Sequence, residues 1–89
     1  MNQTILFPEL ERWQASLAAV TFPAMVGGFQ VTCAIRLVDL RRLANQAGLD
    51  MQLAPLAWFA ALRWQLEEEA EQAIAQEAYD AQGWVWIAG

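Results

Sequence analysis

The sequence predicts a two-layer α+β domain, with an antiparallel sheet of about four strands and helices packed on one face, in the order β-β-β-α-α-β. Three observations carry this. Two runs of strict apolar/polar alternation meet at Gly27-Gly28. Two stretches with a helical apolar period follow them. A short β-rich aromatic run, Trp84-Val85-Trp86-Ile87, lies close to the C-terminal end of the sequence. The 89 residues make one domain, 1–89. The apolar share of 57% is above that of ordinary domains and argues against disorder.

Taken in order, Thr4-Ile5-Leu6-Phe7 reads as a short strand ended by Pro8, which lacks the N–H a ladder needs. Residues 9–16 have no period of two and read as a connection with a helical turn, Trp13 folding back onto the domain. Ala18, Val20, Phe22, Ala24 and Val26 alternate with their neighbours, as do Phe29, Val31, Cys33, Ile35 and Leu37. A two-residue turn at Gly27-Gly28 needs positive φ at both central positions, which glycine adopts without strain. That turn sets the register: Val26 opposite Phe29, Ala24 opposite Val31, Phe22 opposite Cys33, Val20 opposite Ile35 and Ala18 opposite Leu37. All five pairs then lie on one apolar face, and a slip by one residue would scatter them. Pro23 falls at a non-bonded pair with its nitrogen turned away from the hairpin. No third strand can bond there, so this end of the second strand is expected to be an edge.

Asp39 is placed to cap a short helix whose apolar stripe is Leu40, Leu43, Ala44 and Ala47, with Gly48 at its left-handed end and Leu49 closing the motif. A longer helix is expected from Pro55 to Tyr79. Its stripe is Phe59, Leu62, Leu66, Ala70, Ala73 and Ile74, with Leu56 at the margin and Trp58 and Trp64 off the stripe on opposite sides. In the closing strand, Val85 and Ile87 share one face and Trp84 and Trp86 the other.

The order and spacing of Ile5-Leu6-Phe7-Pro8, Trp13, Val20-Phe22, Cys33-Ile35-Leu37, Leu40, Leu43, Phe59, Arg63, Glu67, Ala70, Glu71, Tyr79 and Gly83 before the aromatic strand resemble the small bacterial proteins of the domain of unknown function 1488 family. The resemblance covers nearly the whole chain. It implies a small α+β fold in a bacterial cytoplasm and brings no catalytic residues with it.

The chemistry the sequence offers is limited. There is no histidine, so the usual general base is absent. Cys33 falls on the apolar face and reads as a core thiol. Glu67, Glu68 and Glu71 share a helix without the histidines a di-metal site would add, and read as a solvated acidic face, with Arg63 and Glu67 paired across one turn. No enzyme activity, metal, cofactor or small-molecule substrate is therefore expected. A lone cysteine suits a reducing compartment. No signal-peptide pattern opens the chain, and its longest apolar run, broken by Pro23 and the glycines, falls short of the ~18 residues of a membrane span.

Charge is uneven. All five basic residues are arginines, and six acidic residues with no cation follow Arg63. The net charge of −5 disfavours nucleic acid and anionic membranes. Arg36, Arg41 and Arg42 could still form an anion contact, the basis of an alternative reading as a small regulator touching nucleic acid or another anion. Five tryptophans in so small a chain fit two roles, plugging a thin core or forming an interaction surface. Trp84, Trp86, Trp58 and Trp64 are the candidates for the second. The leading functional expectation is a non-catalytic binding module with a protein partner or a second copy of itself, a homodimer through the aromatic strand.

Overall fold

The glycine reversal and the register it dictates organise the fold. The structure, a computed structural model, describes residues 4–88. Strands β3 (Ala19–Val26) and β4 (Phe29–Arg36) form the central hairpin, with both turn glycines at positive φ. Val26 pairs with Phe29, Ala24 with Val31, Phe22 with Cys33 and Val20 with Ile35, as the alternation requires. The fifth expected pair lies beyond the strands. It survives as one backbone bond, from the Leu37 N–H to the Ala18 carbonyl at 2.8 Å.

The fold is α+β, but the sheet differs from expectation in two ways. It has five strands, and it is mixed rather than antiparallel. Strand β1 (Ile5–Leu6) pairs antiparallel with Val26 and Met25. Strand β2 (Arg12–Gln14) falls where a connection was expected, and pairs antiparallel with Thr21, Val20 and Ala19, ahead of a 3₁₀ turn at Ala15–Leu17. The two flank Pro23 on one side of β3, and neither pairs at it. The proline thus opens a gap in the pairing rather than making β3 an edge. The last strand, β5 (Val85–Ile87), runs parallel to β4, with Val85 beside Cys33 and Ile87 beside Ile35. Parallel pairing requires a long crossover, which the intervening helices supply.

Helix α1 (Leu37–Gln46) begins directly from β4, with Arg36 at its N-cap. Asp39 therefore lies inside the first turn rather than capping it, where its charge favours the helix dipole and pairs with Arg42 at 3.4 Å. The helix ends as expected. Gly48 takes φ +74°, its N–H donates to the Asn45 carbonyl, and the Leu49 N–H donates to the Ala44 carbonyl. The expected long helix is two helices, α2 (Pro55–Ala61) and α3 (Arg63–Ala75). They meet at Leu62, whose N–H is shared between the Trp58 and Phe59 carbonyls. Helix α3 stops short of Tyr79 because Glu77 turns left-handed at φ +54° and the Ala78 N–H closes onto the Ala73 carbonyl.

All three helices cover one face of the sheet. Val20, Phe22, Ala24, Cys33, Ile35, Val85 and Ile87 meet Leu40, Leu43, Ala44, Trp58, Phe59, Leu62, Leu66, Ala70 and Ile74 in one core. Each large side chain so buried contributes about 1.5–3 kcal/mol. The hairpin tip extends past this cover, leaving Phe29 78% exposed although it lies on the apolar face. Among the described residues no helix covers the opposite face, which carries Trp84, Trp86, Arg36, Thr32, Pro23, Met25 and Leu6. Ala19, Thr21 and Ala34 are buried there all the same. Their side chains are short and larger neighbours flank them: Gln14 bonds Thr21 at 3.3 Å, and Trp86 stands beside Ala34.

Candidate functional site

On the helix-free face the chain assembles an aromatic stack, and it starts from a turn. Asp80 precedes β5 and accepts the backbone N–H groups of Gln82 at 2.8 Å and Trp84 at 2.9 Å on one carboxylate oxygen. Its own N–H donates to the Trp84 carbonyl at 2.8 Å, and the Gly83 N–H donates to its carbonyl at 3.0 Å. This closes residues 80–84 into a tight loop. The second carboxylate oxygen, Oδ2, accepts the Trp86 indole N–H at 2.8 Å. Period-two geometry puts Trp84 and Trp86 on the same side of β5, and their rings stack at 6.1 Å and 28°. The Arg36 guanidinium lies over the Trp86 ring, 4.4 Å from its centre. Trp86 is thereby held by contacts with Trp84 and Arg36 and by Asp80 at its polar end. Both indoles remain partly exposed.

The Trp84 N–H, helped by the Trp86 indole and the Gln82 and Gly83 amides, holds the Asp80 carboxyl below its ordinary range against a smaller opposing effect of burial. A depressed carboxylate contributes its stabilisation in full above the unfolded value near ~3.9, and the contribution is lost as pH falls through the lower folded value. The Trp86 indole N–H resonance is therefore expected to move only below about pH 3.9 in the native protein. Asp80→Asn keeps an oxygen for the loop amides but replaces the indole's acceptor with an NH₂ donor. Its Trp86 resonance should sit at the released position already at neutral pH. An identical titration in the two proteins would show that Asp80 does not hold the indole.

The other residues singled out from the sequence separate. Trp58 lies in the core, its indole N–H bonded to the Asp50 carbonyl at 2.9 Å, because α2 packs against α1 as well as against the sheet. It is not part of an exposed surface. Trp64 is 84% exposed on α3, beside Ile5 and Phe7. The three arginines do not share a site. Arg36 lies on Trp86. Arg42 donates to Asp39 and to the Ala88 carbonyl. Arg41 and Arg42 line an open cavity of about 420 Å³ with Val38, Asn45 and Met51, which Arg36 does not line. Arg36 instead joins the tryptophans. The alternation did put it on the same face of β4 as Ala34, beside which Trp86 stands.

Sequence reasoning missed one polar cluster. Arg63 pairs with Glu67 at 3.5 Å as expected, but also with Glu11 and, at 3.8 Å, with Glu9, and it lies 5.2 Å from the centre of the Phe59 ring. Burial alone would lower its pKa; the hydrogen bond and charge of Glu11, with Glu9 and Glu67, outweigh that and raise it. The cluster ties the β1–β2 connection to α3. Cys33 is buried, and desolvation pushes its thiol up to about 12, so no thiolate nucleophile is available there. Among the described residues, no three His, Cys, Asp or Glu side chains group to hold a metal, and no helix is long and apolar enough to cross a membrane.

Comparison with known proteins agrees with this architecture. Residues 5–87 match the family model described as protein of unknown function DUF1488. The uncharacterised protein YrdB of Escherichia coli K12 is 46% identical over 87 residues, spanning 98% of this chain and 99% of that one. YrdB of Shigella flexneri is 45% identical over the same share. The crystal structure of a DUF1488-family protein of unknown function from Shewanella loihica PV-4 superposes with a TM-score of 0.84 at 34% identity, covering 99% of this chain and 96% of that one. With the match running from β1 through β5, the chain belongs to the DUF1488 family.

Proposed function

We propose that the protein is a non-catalytic, cytoplasmic binding module that associates with a second copy of itself through the helix-free face of its sheet. The observation that carries this is the Trp84–Trp86–Arg36 stack, ordered by Asp80 and left at the surface. Two flat indoles fixed in place offer large contact area with little further conformational freedom to lose on binding.

Twofold self-contact needs a patch that complements itself. This one carries a cation, Arg36, an anion, Asp80, and two aromatic surfaces between them. Face-to-face packing also keeps two sheets between the two acidic α3 helices, whose approach would be repulsive. Addition of a second copy along the outer edge of β5 is disfavoured, because Tyr79 bridges Val85 and Asp80 bonds Trp84 on that side. The lone buried cysteine and the absence of histidine support a reducing compartment and a role without acid–base or thiol catalysis.

Sedimentation equilibrium tests the reading. The native chain is expected at twice its 10.0 kDa mass, and Trp86→Ala at the single mass. A stable pair must bury roughly 1,200 Å² or more, so the shift should be plain at micromolar concentration. A native protein that stays at 10.0 kDa over the whole range would overturn self-association. Capture of a different protein that needs both tryptophans would then reassign the face to a foreign partner.

A further inference from the structure

We infer that the groove between β1 and α3 is a second docking surface, which takes a basic segment of another protein carrying apolar side chains between its cations. The groove encloses about 400 Å³ and is lined by Ile5, Phe7, Arg63, Trp64, Glu67, Glu68 and Glu71. Its apolar part is Ile5, Phe7 and the Trp64 indole, the most exposed large hydrophobic side chain among the described residues. A bare indole at the mouth of a groove is a surface without a partner among the described residues.

The rim says what kind of partner fits. Glu67, Glu68 and Glu71 follow Trp64 at i+3, i+4 and i+7, so one helix face presents an aromatic ring with carboxylates beside it. The one cation in the groove, Arg63, is already matched by Glu9, Glu11 and Glu67. Among the described residues Glu68 and Glu71 make no ion pair, and no basic residue follows Arg63 in the chain. A guanidinium or ammonium group entering here meets the face of Trp64 and two unmatched carboxylates, while apolar side chains beside it reach Ile5 and Phe7. A second copy of this acidic chain would be repelled, which separates this surface from the self-association face.

A short synthetic peptide of alternating arginine and leucine, capped at both ends, serves as the probe, with glutamate replacing arginine in its control. Indole N–H resonances report which tryptophan it meets. The basic peptide is expected to shift Trp64 and leave Trp84 and Trp86 in place, with affinity falling as salt rises from about 50 to 200 mM. Trp64→Ala, a change at an exposed position that should leave the fold intact, is expected to weaken binding about tenfold. The Glu68→Gln/Glu71→Gln pair should do the same, and Asp50→Asn/Glu77→Gln, which removes equal charge elsewhere, should not. Trp86→Ala should bind the peptide like the native chain, even if it abolishes self-association. Absence of a Trp64 shift, or equal losses in the two charge-neutralised pairs, would overturn the proposal.

Discussion

Phe59→Ala is expected to lower the thermal midpoint by about 15–30 °C, the largest change any single truncation should bring. Phe59 is fully buried on α2 and lies against Phe22 of β3, with ring centres 4.9 Å apart and planes at 57°. Phe22 in turn meets Phe7 at 6.3 Å, and the Arg63 guanidinium lies over the Phe59 ring. This ring is the contact through which the α2 layer grips the hairpin. Truncating it loses the transfer free energy of the ring and leaves a cavity that the neighbouring aromatics, fixed in a sheet and two helices, can only partly fill. Together these amount to about 3–5 kcal/mol. A domain of this size has about 4–13 kcal/mol in all, so the variant should be near the limit of folding. Differential scanning calorimetry would measure it, with Leu56→Ala, at a partly exposed position of the same helix, as the control expected to move by only a few degrees. A shift below about 5 °C for Phe59→Ala would mean that the layers are held together elsewhere.

The place of that ring is legible in the sequence. Phe59 opens the longest helical stripe, and Phe22 sits in the hairpin register that Gly27-Gly28 imposes. Turn chemistry and period-two pattern are separate signals, and here they agree at every pair, which is why register, the hardest feature of a sheet to infer, came through. Strand β2 was illegible for the opposite reason. Residues 9–16 have no period of two as a run, and the three residues Arg12-Trp13-Gln14 are too few to carry a pattern of their own; they become a strand by pairing with the free edge of β3 ahead of Pro23. The direction of β5 was open in the pattern as well, since a three-residue strand reads alike both ways. The evidence for parallel pairing lay in the crossover, where helices make up most of the path from β4 to β5.

The candidate site shows the same division. The alternation of residues 84–87 correctly puts Trp84 and Trp86 on one face away from Val85 and Ile87. The stack with Arg36 depends on β5 lying beside β4 in one register, and three residues carry too little pattern to specify that. Trp58 misleads because a single apolar stripe describes a helix with one partner. Helix α2 has two, the sheet and α1, and so buries a second side. Asp80, which holds the stack together, had a local signal in Asp80-Ala81-Gln82-Gly83, a turn-forming sequence with an Asp at its head.

The polar counterpart of Phe59 is Arg63, one helical turn later, and its removal should be the second most damaging change. Among the described residues Arg63 is the only hydrogen-bonding partner of the Glu11 carboxylate, whose other oxygen is buried without one. Arg63→Ala therefore leaves a mostly buried carboxylate facing no cation, a worse state than having neither group. The expected loss is about 2–3 kcal/mol, below the range for fully buried pairs because both side chains keep some contact with water. Glu9→Ala should be nearly neutral, since Glu9 is exposed and 3.8 Å from the guanidinium. The double change Arg63→Leu/Glu11→Leu removes both charges and restores apolar volume beside Phe59, so it should recover most of what Arg63→Ala loses. Urea unfolding of Arg63→Leu, Glu11→Leu and the double variant measures the coupling directly. A coupling below about 0.5 kcal/mol would place the pair with ordinary surface ion pairs, and the β1–β2 connection would then be held to α3 by Ile5 and Phe7 packing alone.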